Sequence, residues 1–339
     1  MAKGISLLEA VSIPVVTLHL LAADLAAVGP LVALWFAWRA ARGDRLAADV
    51  ERGLLRASIW ALLAAAAFGG AALGLLWLAD RRAWFEAARQ IPARRYWFGL
   101  IELVFSWACL GVARWLARRQ AAAGFDSCFS ARFALTALAG TNLVYHFPPL
   151  FSAIGVLSTR PETWGGTANF LSLLSDSEVL ARTLHHLLAA LAVTGAAIML
   201  GALRWRTAEE SDDRRRVAAS GARIALAASA AQLLAGLHLL FQLPASSRER
   251  LMGGDMLTGL LFAAALLVTV TLLHRLAAIA FGDAQPRGIV FTALLIALVM
   301  LLMATTRHRT RNAASPSAVG AQGPSDNKTT RSRERYALG

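Results

Sequence analysis

A chain of 339 residues that is 57% hydrophobic and 16% charged, with a mean hydropathy of +0.53, lies far from the composition of a soluble globular domain. Its net charge of +13 invites a nucleic-acid reading, but the arginines fall at the ends of apolar runs, where membrane topology puts them, and not along one face. Nucleic-acid binding and a separate soluble catalytic domain are thereby excluded as expectations, and function is expected inside a helix bundle.

About 20 largely apolar residues are needed to cross about 30 Å of hydrocarbon as a helix. Runs of that kind occupy 13–38, 54–78, 97–116, 133–157, 179–203, 224–243, 256–281 and 288–303. The expected fold is all-α, a polytopic transmembrane bundle of about eight spans. Lys3 followed by a long apolar run without a small-residue cleavage site reads as a retained first span. The loops 39–56, 114–132, 204–223 and 275–287 hold 17 arginines, against about 10 Lys and Arg on the opposite set of connections. That bias places the N-terminus outside and Arg214–Arg216 in the cytoplasm. The basic tail, rich in Ser, Pro, Gly and Asn, is expected to be disordered. The organisation expected is thus a bundle over 1–306 and a disordered tail over 307–339, outside by span parity although its own charge argues otherwise. Cys109 and Cys128 form neither a metal spacing nor a disulfide framework, and no CxxCH haem-attachment motif occurs.

Ionisable residues inside spans are costly and face the bundle interior, so they are the candidate site. Counted along each span, His19, His146, His185, His186 and His238, from four helices, fall about 10–14 Å below the outer surface. Imidazoles from facing helices are the usual way a bundle holds haem iron, with a second histidine or a methionine opposite. Small residues leave room for a macrocycle at Ala22, Ala23, Ala26 and Ala27 on the first span and at Gly69, Gly70 and Gly74 on the second. Close helix packing explains the same small residues more simply when they are taken alone. His185 and His186 point about 100° apart, so one of them at most faces a given iron. Arg182, one turn nearer the surface, is placed to pair with a haem propionate or to anchor the helix at the interface. Pro148 and Pro149 are expected to loosen the fourth span beside His146. Asp24 and Glu102 are the intramembrane carboxylates, candidates for proton transfer. Zinc is a poorer fit than haem, for no carboxylate or thiolate cluster accompanies the histidines. A proton pathway is the rival reading.

The segment VLARTLHHLLAALAVTGA at 179–196 resembles the span of bd-type quinol oxidase subunit I that carries a low-spin haem b ligand. The resemblance implies His186 as that ligand, His19 as the first-span ligand of a further haem, and Gly99 to Glu102 as the third-span carboxylate region. Met256, in DMLTGLL at 255–261, resembles the methionine that pairs with the span-five histidine. The likeness is collinear over roughly 5–275, but the quinol-binding loop is reduced to about 244–255 and a later glutamate ligand has no counterpart. His146 and His238 have no family role and stand as alternative ligands. The expectation is a haem b-binding electron-transfer subunit of a respiratory complex, with one or two haems, in the bacterial cytoplasmic membrane. Its partners would be membrane lipid, other complex subunits and a cytochrome c, with quinol disfavoured by the missing loop. The alternatives are a terminal oxidase subunit reducing oxygen and a haem-free proton-coupled transporter.

Overall fold

The computed structural model describes residues 7–79, 82–123, 129–160, 170–204 and 211–312. Lys3, Cys128 and most of the expected tail, 313–339, lie outside the described residues. The described chain is helical, with no strand among those residues. Eight long helices carry it back and forth: α1 (Leu7–Ala40), α2 (Arg45–Leu78), α4 (Ala93–Ala123), α5 (Phe129–Leu157), α7 (Ser177–Gly201), α8 (Ser211–Gln242), α10 (Met256–Ala280) and α11 (Pro286–Asn312). The connections hold three short helices, α3 (Arg82–Gln90), α6 (Phe170–Leu174) and α9 (Ala245–Glu249).

Seven of the long helices are long and apolar enough to cross a membrane, which makes this a multi-pass membrane protein. α5 is the exception. Thr136, Thr141, Asn142, His146 and two prolines dilute its hydropathy, and it compensates by burial, packing against α1, α4 and α7. Its helix continues through Pro148 and Pro149, so the expected loosening there does not interrupt it. α11 runs six residues past the expected bundle boundary at 306, because the basic segment after Met303 continues the helix to Asn312.

Ion pairs and one neutral hydrogen bond fix which helix ends lie together. At one end, Arg160 after α5 reaches Asp176 before α7 (3.2 Å), Ser177 on α7 meets Gln242 on α8 (2.8 Å), and His308 on α11 approaches Glu9 on α1 (3.7 Å). At the same end Arg309 of α11 holds Asp255 at the start of α10 (3.2 Å). At the other end, buried Arg132 of α5 pairs with buried Glu51 of α2 at 3.0 Å, and Arg204 reaches Asp49 at 3.6 Å. The first set is called the α1-start face below and the second the α2-start face.

The core between them is aliphatic and small, with Ala33, Leu55, Leu110, Ala139, Met199 and Leu276 fully enclosed. Large side chains point outward, among them Trp60, Trp77, Trp97, Leu234 and Leu267. Such a surface suits a lipid solvent. Arg42 over Trp38 (3.6 Å) and Arg119 over Trp115 (4.0 Å) mark the α2-start boundary as basic and aromatic. A smaller cluster, with Ala87, Ile91, Ile154 and Leu173, seats α3 and α6 on the end of α5.

α7 and α8 approach through glycine. A Cβ on Gly195 would stand 2.5 Å from the Gly221 carbonyl oxygen, and one on Gly221 would stand 2.6 Å from the Gly195 oxygen. Backbone on both sides leaves nothing to yield. Gly195→Val is therefore expected to cost about 1–3 kcal/mol or more through forced separation, read as a lowered thermal midpoint in detergent.

Asp44 caps α2, accepting from the Ala47 N–H at 3.0 Å. That hydrogen bond, with Arg39 beside it, holds its carboxyl below the ordinary value. A depressed folded value means the stabilisation is complete above the unfolded carboxylate value and fades as pH falls through the lowered one. Asp44→Ala should then cost about 1 kcal/mol at neutral pH. The gap between variant and wild type should close below about pH 4, which unfolding curves at pH 7 and pH 3 would test.

Candidate functional site

Helix ends that meet in space allow the depths to be compared. At 1.5 Å per residue, His19, His146 and His186 lie about 18, 16 and 14 Å from the α1-start ends of their helices. They do not form one ring. Two groups appear, one on α1, α2, α7 and α8 and one on α4 and α5.

In the first group α1 supplies His19 and Asp24, one and a half turns apart. The His19 ring lies against α2, its Nδ1 donating to the Ala65 carbonyl at 2.8 Å. Gly69 makes room: a Cβ there would come within 2.9 Å of Nδ1 and Cε1, with Nε2 farther off at 3.8 Å. Gly70 and Gly74 have open space where a side chain would be, so only Gly69 shapes the site. Asp24 is fully buried, 3.2 Å from His186 Nε2 on α7, yet neither of its oxygens makes a hydrogen bond. His19, His185 and Arg307 all stand within electrostatic reach of His186. His185 turns to α8 instead, with Nε2 3.3 Å from the Gln232 amide nitrogen and a buried, unpartnered Nδ1.

In the second group His146 Nδ1 lies 2.9 Å from Glu102 Oε2. Asn142 donates to the Glu102 carbonyl (3.2 Å) and to buried Ser106 (2.9 Å), tying α5 to α4. His146 Nε2 is buried without a hydrogen bond and faces the α4 backbone, where a Cβ on Gly99 would stand 2.8 Å away.

The other sequence candidates fall elsewhere. His238 is on the exposed side of α8. Met256 opens α10 and is 77% exposed. Arg182 is engaged, its Nε donating to Glu178 at 2.9 Å. Glu178, almost wholly buried, also takes Arg160 at 2.9 Å. This two-arginine carboxylate was not singled out in the sequence, although the i, i+4 spacing to Arg182 was the available signal.

A ligand imidazole needs one ring nitrogen held and the other open. His19 fits, its Nδ1 anchored and its Nε2 without a hydrogen bond among the described residues. His186 has the more open ring, with a side chain 28% exposed against 7% for His146. His146 is anchored as well, but its free nitrogen is closed off by α4. Among the described residues no group of three or more His, Cys, Asp or Glu is placed to hold a metal ion by itself. A pair of axial imidazoles needs no such group.

The fold resembles that of a bd oxidase. One similar solved structure is the bd oxidase from Geobacillus thermodenitrificans, with a TM-score of 0.73 at 12% identity, covering 91% of this chain and 87% of that one. No family model matches the sequence, and no curated protein matches it. At that identity the likeness is one of fold alone.

Proposed function

We propose that this chain is a haem b-binding subunit of a respiratory electron-transfer complex, a shortened relative of bd oxidase subunit I with eight spans and its N-terminus outside the bacterial cytoplasmic membrane. The observation that carries the reading is the meeting of His186 of α7 with fully buried Asp24 of α1 at 3.2 Å, with His19 of α1 within electrostatic reach, in a fold similar to a bd oxidase. Bound haem supplies a one-electron iron couple. His186 and His19 are the residues that would hold it, with Ala65 orienting the His19 ring. Met256, the partner that the likeness to bd oxidase subunit I proposes for His186, opens α10 at the α1-start face, about 14 Å shallower than His186 by residue count, so pairing the two would require the start of α10 to move inward. His146, His185 and His238 are weaker candidates, each for the placement given above. One or two haems follow from two ligand helices.

Asp24 offers a place to hold a proton next to the histidines. Electrons would pass to other subunits or a cytochrome c. A quinol site is disfavoured by the brief link of 243–255 between α8 and α10. A pyridine haemochrome assay on protein from haem-replete cells tests the reading: about one haem b or more per chain is expected, and haem-free folded protein overturns it. An oxygen-reducing role adds a carbon monoxide difference spectrum. The Glu102–His146 pair favours a second reading, proton-coupled transport, in which folded protein is colourless and Glu102→Gln abolishes proton uptake by vesicles.

A further inference from the structure

The α2-start face carries a concavity that the histidine site does not use. It has a volume of about 220 Å³ and is lined by Arg52 and Arg56 of α2, Arg114 and Arg118 of α4, and Arg204 at the end of α7, over a floor that includes Leu55. Three helices thus aim guanidinium groups into one space. Among the described residues Asp49 is the carboxylate that meets this set, paired with Arg52 and with Arg204 at 3.6 Å. No ion pair among those residues joins Arg56, Arg114 or Arg118 to a carboxylate, and Arg114 lies within repulsive reach of Arg118 and Arg56. Orientation alone requires arginines on this side of a membrane. It does not require them to converge from separate helices on one pocket against their mutual repulsion.

We infer that this pocket binds a phosphate-bearing anion, and that the anion is the headgroup of an acidic phospholipid. Guanidinium forks match phosphate oxygens two at a time. The pocket sits at the helix ends, the depth of a headgroup, and basic pockets between spans on this side are where acidic lipid headgroups are held. Arg118 is exposed while Arg114 is half-buried, so a phosphate reaching both would be gripped from rim and floor. Apolar Leu55 and Ala117 line the same pocket, a suitable surface for the first carbons of a lipid.

The test uses the full chain, delipidated in detergent and followed by native mass spectrometry with cardiolipin, phosphatidylcholine or inorganic phosphate. Wild type should retain cardiolipin over phosphatidylcholine, and the double variant Arg114→Gln/Arg118→Gln should bind it about thirtyfold more weakly, at about fivefold per lost charge near the surface. Arg216→Gln/Arg223→Gln, on α8 outside the pocket, is the control and should bind as wild type does. If the pocket variant fails to fold, Arg118→Gln alone, at an exposed position, carries the same comparison. Saturable phosphate binding without cardiolipin preference, lost in the pocket variant, keeps the anion site and assigns it to free phosphate. Equal weakening in pocket and control variants, or no binding of either probe, overturns the proposal.

Discussion

Replacing His186 with alanine is expected to abolish the reduced-minus-oxidised b-type spectrum of whichever haem it holds, while the protein still folds. The side chain is partly exposed and its neighbour Asp24 is 3.2 Å away, so truncation leaves a vacancy at the edge of the core instead of a collapsed centre. Asp24 already lacks a hydrogen bond, so losing the imidazole strands no previously satisfied group. His19→Ala should remove a second, separable part of the spectrum if two haems are bound, or the same part if the two residues serve one. His238→Ala, on the exposed side of α8, should leave the spectrum unchanged. A His186→Ala protein with the full wild-type spectrum would sink the assignment.

The largest stability effect is expected at Glu178. It is almost wholly buried and receives Arg182 from its own helix and Arg160 from the end of α5. Removing one partner of a buried ionic group leaves the others uncompensated, which costs about 3–5 kcal/mol. Glu178→Ala should therefore lower the unfolding midpoint in detergent sharply, whereas Glu178→Gln, which keeps an acceptor oxygen, should fall between. Because Arg160 also holds Asp176, the cap of α7, the loss should spread to the first turn of that helix. Amide exchange faster at 177–182 than at 190–199 in Glu178→Ala would show this. An unchanged midpoint would mean that Arg160 and Arg182 find other partners.

Much of the bundle was legible because a span needs so long an apolar run that length alone reveals it. All eight runs correspond to long helices, including the polar α5, whose Asn142 bonds to α4 and whose His146 pairs with Glu102, neighbours that hydropathy does not register. The short α3 and α6 escaped because helices of nine and five residues leave little periodicity to read. The histidine depths were recoverable from residue counts. What counting along single helices lacks is rotation: it assigned His238 to the same layer, but the side chain leaves α8 on its outer face. The pairing of Asp24 with His186 needs the crossing of α1 and α7, and no spacing within either helix encodes it. Arg182 pairs with Glu178, a buried carboxylate one turn away on its own helix, a partner that the i, i+4 spacing allowed but that the haem reading did not consider.

The contact between His308 and Glu9 joins the last long helix to the first, and α1 also packs against α2, α5 and α7. Helices emerge in order during synthesis, so α1 and α2 can pair early while the α1–α11 seam must wait for nearly the whole chain. Until then Asp24 and the outer face of α1 border an unfinished wall. A ribosome stalled after α10 should consequently leave a chain that is inserted and yet protease-sensitive along α1, with resistance arriving only when α11 docks.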